Sequence, residues 1–149
     1  MCFSMNVDLS FINMRKIIIG FTSGVIILQV SLLASFVIYL IQPSIQLEYE
    51  NQAIFRSWSD PLMSCFYFEP FLLGYLLLWI WNKTKHLIKG GDTLQKGLRF
   101  GLIYWVITLP GMVMTYSSFK VSLMMVVSWS LGTLISSIIS GFLFSKTIK

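Results

Sequence analysis

The chain has 149 residues, of which 56% are hydrophobic and only 11% charged, with a formal net charge of +5 and a mean hydropathy of +0.76. Soluble domains carry about 25% charged residues, so eleven basic and six acidic side chains cannot clothe a water-facing surface of this size. That excludes a soluble enzyme, a disordered tail and a nucleic-acid-binding domain, and leaves an integral membrane protein.

In chain order, residues 1–16 form a short tail that ends in Arg15-Lys16. Met14 would serve equally well as a start, which makes residues 1–13 read as dispensable. Residues 17–41 are 25 uncharged, mainly apolar positions, longer than the roughly 7–15 of a signal-peptide core and without a small-residue cleavage site. This is a retained first span, carrying Gly20-x-x-x-Gly24, Ser31-x-x-x-Ser35 and a central Gln29. A loop with Glu48, Glu50, Arg56 and Asp60 follows. Asp60-Pro61 is a helix-start signal, a capping carboxylate before a proline at the first helical position. The second span, 61–82, contains Glu69 and Pro70 and ends in the interfacial aromatics Trp79 and Trp81. The loop 83–99 holds Lys83, Lys85, Lys89, Lys96 and Arg99. Within it Asp92 and Gln95 resemble a capping box, so the third helix is expected to start near Thr93 and enter the bilayer near Arg99. The third span, 100–119, is interrupted by Pro110-Gly111. A short turn around Lys120 makes the fourth span, 121–145, its antiparallel neighbour.

Each span reaches the roughly 20 residues that cross a bilayer. The runs are continuous rather than alternating, so a barrel is excluded. The fold class is all-α: one domain, 1–149, a polytopic membrane protein built as a four-transmembrane-helix bundle. Nine of the eleven Lys and Arg residues fall on one side of the threading and only Arg56 and Lys120 on the other. Short basic loops stay in the cytoplasm, which predicts an inner-membrane protein of a bacterium-like cell with both termini cytoplasmic. The net positive charge is a topology signal. Its partners are the lipid bilayer and, at the 83–99 loop, anionic lipid headgroups, with no nucleic acid.

Small residues rather than apolar burial hold helices together in lipid. The fourth span carries two ladders at four-residue spacing: Ser128, Gly132, Ser136 and Ser140, and Thr133, Ser137, Gly141 and Ser145. They read either as packing within the chain or as a seam to another protein, or as a serine-lined pathway. The third span starts with Gly97-x-x-x-Gly101.

Glu69 is the one ionisable residue deep in a span, about 12 Å below Pro61 at the helical rise. An acid there is a functional-site candidate; the alternative is a protonated carboxyl hydrogen-bonded to a neighbour. Pro70 cannot donate to the carbonyl of Phe66, and Pro110 interrupts the third helix in the same way, so both read as hinges of a transport site or as plain kinks tolerated by neighbouring helices. Glu69, Gln29, Pro70 and Pro110 are the candidate transport or proton-site residues, and Arg56 and Asp60 form an external mouth.

No catalytic constellation is visible. Cys2 and Cys65 form no C-x-x-C motif, His86 is the single histidine, and no nucleotide or nucleophile motif occurs. No enzyme, cofactor or metal is expected. Comparing the first two spans with the last two reveals no internal repeat. The leading expectation is movement of a small solute, ion or proton by a homo-oligomer, since four helices barely enclose a path. The alternative is a non-catalytic accessory, assembly or immunity-type subunit that packs against a membrane protein partner. A lipid-binding role for the basic loop stands third.

Overall fold

A computed structural model describes residues 14–51, 53–88 and 90–148. The expectations for Cys2, Lys89 and Lys149, and for the tail ahead of Met14, lie outside them. Five α-helices follow in order: α1 (Met14–Ile41), α2 (Ser44–Tyr49), α3 (Cys65–Thr84), α4 (Thr93–Ser118) and α5 (Leu123–Thr147). A 3₁₀ turn over Pro61–Ser64 leads into α3. Four stretches are long and apolar enough to cross a membrane: α1, Pro61–Thr84, α4 and α5.

The helix starts follow from local chemistry. Asp60 Oδ1 accepts the Leu62 N–H at 2.9 Å, with Pro61 at the first helical position, though the first turn is 3₁₀ rather than α. Asp92 Oδ1 accepts the Thr93 N–H at 2.7 Å, and α4 begins where the cap predicts. Ser122 Oγ accepts the Met125 N–H at 3.2 Å and starts α5. The turn between α4 and α5 is therefore 119–122, so Phe119 and Val121 leave the spans to which the apolar pattern assigned them. Helix α2 was missed altogether, since six residues carry too little periodicity to show.

Pro70 and Pro110 both sit inside continuous helices, which fits the tolerated kink rather than a break. In lipid, a proline within a continuous helix forfeits one backbone bond, whereas a break orphans several with no water to satisfy them.

Two seams of bare backbone organise the bundle. In the first, α1 meets α3. A Cβ on Gly24 would stand 2.7 Å from the Cα of Phe71, one on Gly74 would stand 2.6 Å from Gly24 N, and one on Gly20 would strike the Tyr75 ring. In the second, α4 meets α5. A Cβ on Gly97 would lie 2.6 Å from Phe142 N, one on Gly101 2.6 Å from the Ile138 Cα, and one on Gly141 2.6 Å from Gly97 O. These contacts are the same contacts. Gly20 and Gly24 correspond to Gly97 and Gly101, while Phe71, Gly74 and Tyr75 correspond to Ile138, Gly141 and Phe142, with identical spacing on each strand of the seam. The molecule is thus two hairpins, α1–α3 and α4–α5, built on one seam in one orientation. The repeat lives in which positions lack a side chain, so residue similarity does not display it.

The hairpins join mainly through α1 and α5. Ser23 Oγ donates to Ser140 Oγ at 3.0 Å between them. At one end Trp81, Phe100 and Phe144 pack as an aromatic cluster, with Trp81–Phe100 centroids 5.3 Å apart. Arg15 Nη2 donates to Thr147 O at 2.6 Å and Ser145 Oγ to Thr93 O at 2.8 Å at this same end. The start of α1 and the end of α5 therefore lie together, beside Lys83, Lys85, Lys96, Arg99 and Lys146. At the opposite, more acidic end α2 docks on α5: Ile45 packs with Val121, Met125 and Val126, and the Glu48 carboxylate accepts the Ser122 N–H at 2.9 Å.

Candidate functional site

Beyond its glycine seam, toward the acidic end, each hairpin continues differently. Above Gly141, α5 carries Ser137, Ser136, Thr133 and Gly132, and Ser137 bridges to α4. Above Gly74, α3 carries Phe71, Pro70, Glu69, Tyr67 and Phe66. Here α3 and α5 share little contact. The space left is a cavity of about 780 Å³, within the roughly 300–1,000 Å³ of small-molecule sites.

Glu69 and Pro70 line it from α3, Ser31 and Ser35 from α1, and Tyr104 from α4. The α5 wall is the first ladder, Ser128, Gly132 and Ser136, joined by Thr133 and Ser137. Tyr49, Phe55, Arg56 and Trp58 border the acidic-end side. Leu77 lines the far end, one helical turn from the Trp81 cluster that fills the bundle below. The Trp81 indole N–H is buried there without a partner.

Most wall hydroxyls are already committed. Ser128 Oγ donates to Met125 O at 2.7 Å and Thr133 Oγ1 to Trp129 O at 2.9 Å. Ser137 Oγ donates to Gly101 O at 3.1 Å and to Leu134 O at 2.9 Å. Glu69 is different: no hydrogen bond or ion pair joins its carboxyl to any described residue. Its side chain is exposed into the open cavity rather than enclosed by the bundle.

At the rim, Arg56 Nη1 meets Asp60 Oδ2 at 2.9 Å, the pair expected from sequence. The Leu62 amide and then the Arg56 guanidinium hold the Asp60 carboxyl below the usual carboxylate range. Trp129 Nε1 donates to the Tyr49 hydroxyl at 2.7 Å. Burial pushes the Tyr49 phenol up, the Trp129 bond opposes that, and the Glu48 charge adds to it.

The sequence candidates divide cleanly. Glu69, Pro70, Arg56, Ser128, Gly132, Thr133, Ser136 and Ser137 meet at the cavity. Gln29 does not: it is exposed on the outward face of α1 with Leu33, Val37 and Leu40 at helical spacing. Pro110 and Gly111 are likewise exposed on α4. Ser140, Gly141 and Ser145 lie in the seams with α1 and α4. Ser137, Ser140, Gly141 and Ser145 are thus engaged inside the chain, while Ser128, Gly132, Thr133 and Ser136 border the cavity. Sequence reading missed Tyr104 and the bordering aromatics Tyr49, Phe55 and Trp58, because aromatic residues near a membrane surface already have an interfacial explanation. It also missed Gly74, whose signal was the one small residue between bulky ones in the second span.

No protein family, curated protein or solved structure matches the chain.

Proposed function

We propose that this four-span membrane protein admits a small solute or ion into the Glu69 cavity from the acidic end and moves it, or protons coupled to it, across the bilayer. The supporting observation is the unpartnered carboxyl in a cavity of about 780 Å³ within the membrane-spanning helices. An intramembrane acid is costly and is retained where it meets a solute, ion or proton. In this reading the basic end faces the cytoplasm of an inner membrane, with both termini inside and anionic headgroups around 83–99. The cavity is formed by one chain. Passage beyond it is blocked by the Trp81, Phe100 and Phe144 cluster, so transport needs the hairpins to shift or a second copy to complete the path.

The test is flux in proteoliposomes. Glu69→Gln abolishes pH-dependent solute uptake while leaving expression, thermal stability and particle size intact. Unchanged flux overturns the reading, and so does a Glu69→Gln variant that merely unfolds. The threading is checked separately in a background with Cys2 and Cys65 replaced by Ser. An impermeant thiol reagent applied from the cytoplasmic side labels a cysteine placed at Lys83 and misses one placed at Ser57.

A further inference from the structure

On the reading that this cavity is the solute site, its chemistry selects a solute class. We infer that the cavity takes an organic cation with a bulky apolar body. Two aromatic groups border it. Tyr49, Phe55 and Trp129 pack with centroids 5.5 to 6.4 Å apart. Trp58, Phe66 and Tyr67 pack edge to face at 6.0 and 5.6 Å. Ring faces attract a cation and accept an apolar body, and charge is needed only once. Glu69 supplies that charge one helical turn below Phe66. Among the wall residues Arg56 is already held by Asp60 at 2.9 Å, and Glu50 adds a second acid bound only to Gln46 at 3.0 Å. The fixed charge around the cavity is therefore negative.

The other classes fit worse. A bare metal ion needs several oxygen or nitrogen ligands to replace its water. Among the described residues no group of three His, Cys, Asp or Glu stands together, and the walls are mainly apolar. An anion would face Glu69 with no free cation on the wall. A neutral solute would bury the carboxylate unpaired.

Tetraphenylphosphonium and tetraphenylborate share one four-ring body and differ in the sign of their charge. Equilibrium dialysis of each against the full chain in a neutral maltoside detergent separates charge from size. Tetraphenylphosphonium binds saturably at one site per chain, Glu69→Gln weakens it by at least about tenfold, Glu69→Asp retains it, and tetraphenylborate neither binds saturably nor competes. Gly132→Phe provides the control for location. The side-chain direction at Gly132 is open, with the nearest atom, the Ala34 Cβ, 3.9 Å from an added Cβ, so the ring enters the cavity and removes binding. If both ions bind alike and Gly132→Phe removes both, the cavity is a solute site and the cation class is wrong. If the phosphonium ion shows no saturable binding, the cation class falls. If its binding ignores both Glu69→Gln and Gly132→Phe, the solute-site reading falls with it.

Discussion

The two hairpins of this protein share a seam and differ in what stands above it. Carried back from Ile138, Gly141 and Phe142 to Phe71, Gly74 and Tyr75, the common spacing sets Ser136 and Ser137 of the second hairpin opposite Glu69 and Pro70 of the first. In the second hairpin Ser137 donates to Gly101 O at 3.1 Å and the helices stay together. In the first the same two positions hold an acid and a residue with no backbone N–H, and both border the cavity. The second hairpin is closed at these positions, and the first lines the cavity there.

The largest effects should come from the seam, because there the repeat is strict. Gly97→Leu drives a side chain into the backbone of Phe142 at 2.6 Å, as Gly24→Leu does into that of Phe71 at 2.7 Å. Overpacking a tight contact costs about 1–3 kcal/mol when neighbours can shift, and backbone cannot shift cheaply. Each variant should lose monodisperse expression or several degrees of melting temperature, measured by fluorescence-detected size exclusion. Gly111→Leu meets nothing within 4 Å and should behave like wild type. Equal tolerance at Gly97 and Gly111 would dissolve the second seam and the comparison with it.

Next is the bond that ties the first hairpin's outer segment to the second. Tyr49→Phe removes the acceptor of the Trp129 N–H, leaving a half-buried donor unpaired at a cost of about 1–3 kcal/mol. In the parent protein, burial raises the Tyr49 phenol, so its contribution is complete below the unfolded value of about 10 and is lost as pH climbs through the higher folded value. Alkaline titration of phenolate absorbance should show one late-titrating tyrosine fewer in the variant.

Much of the architecture was legible because the bilayer imposes simple demands. Four long apolar runs, the Asp92 cap, the antiparallel α4–α5 pair and the Arg56–Asp60 pair all follow from length, charge and short-range chemistry. Glu69 stood out because it is alone in its environment. Gln29 misled because polarity in a span was read without its face, and helical register turns it outward. Pro110 lies within a continuous helix on an exposed face, because in lipid a proline is a tolerated defect rather than a break. The repeat was hidden because glycine seams record an absence of side chains, while residue comparison weighs the side chains present. The cavity itself is walled by residues of all five helices, an arrangement that has meaning only once the helices are placed in space.

A smaller effect tests the closed hairpin directly. Ser137→Ala deletes the hydroxyl that bridges α5 to α4. Interhelical hydrogen bonds in membranes are worth about 0.6 kcal/mol and at most about 1.7, so the variant should lose roughly 1 kcal/mol of stability in a reversible detergent titration. Because Gly101 and Gly141 still hold the seam, the variant should remain folded and monodisperse.

The smallest effect separates the hairpins by pH at their outer helix starts. The first hairpin caps Pro61–Ser64 with Asp60, and the second caps α5 with Ser122, whose hydroxyl does not titrate. Asp60 is held below the usual carboxylate range, first by the Leu62 N–H and then by Arg56. A carboxyl with a depressed folded pKa contributes stability above its unfolded value of about 3.9, and that contribution disappears as pH falls through the lower folded value. The melting temperatures of wild type and Asp60→Asn should therefore differ slightly at neutral pH and converge in acid, other carboxyls cancelling between them. The gap stays small because the Arg56 pair is exposed and screened. A gap that persists unchanged in acid would assign the difference to the asparagine cap itself, and the first hairpin's outer start would then be as indifferent to pH as the second's.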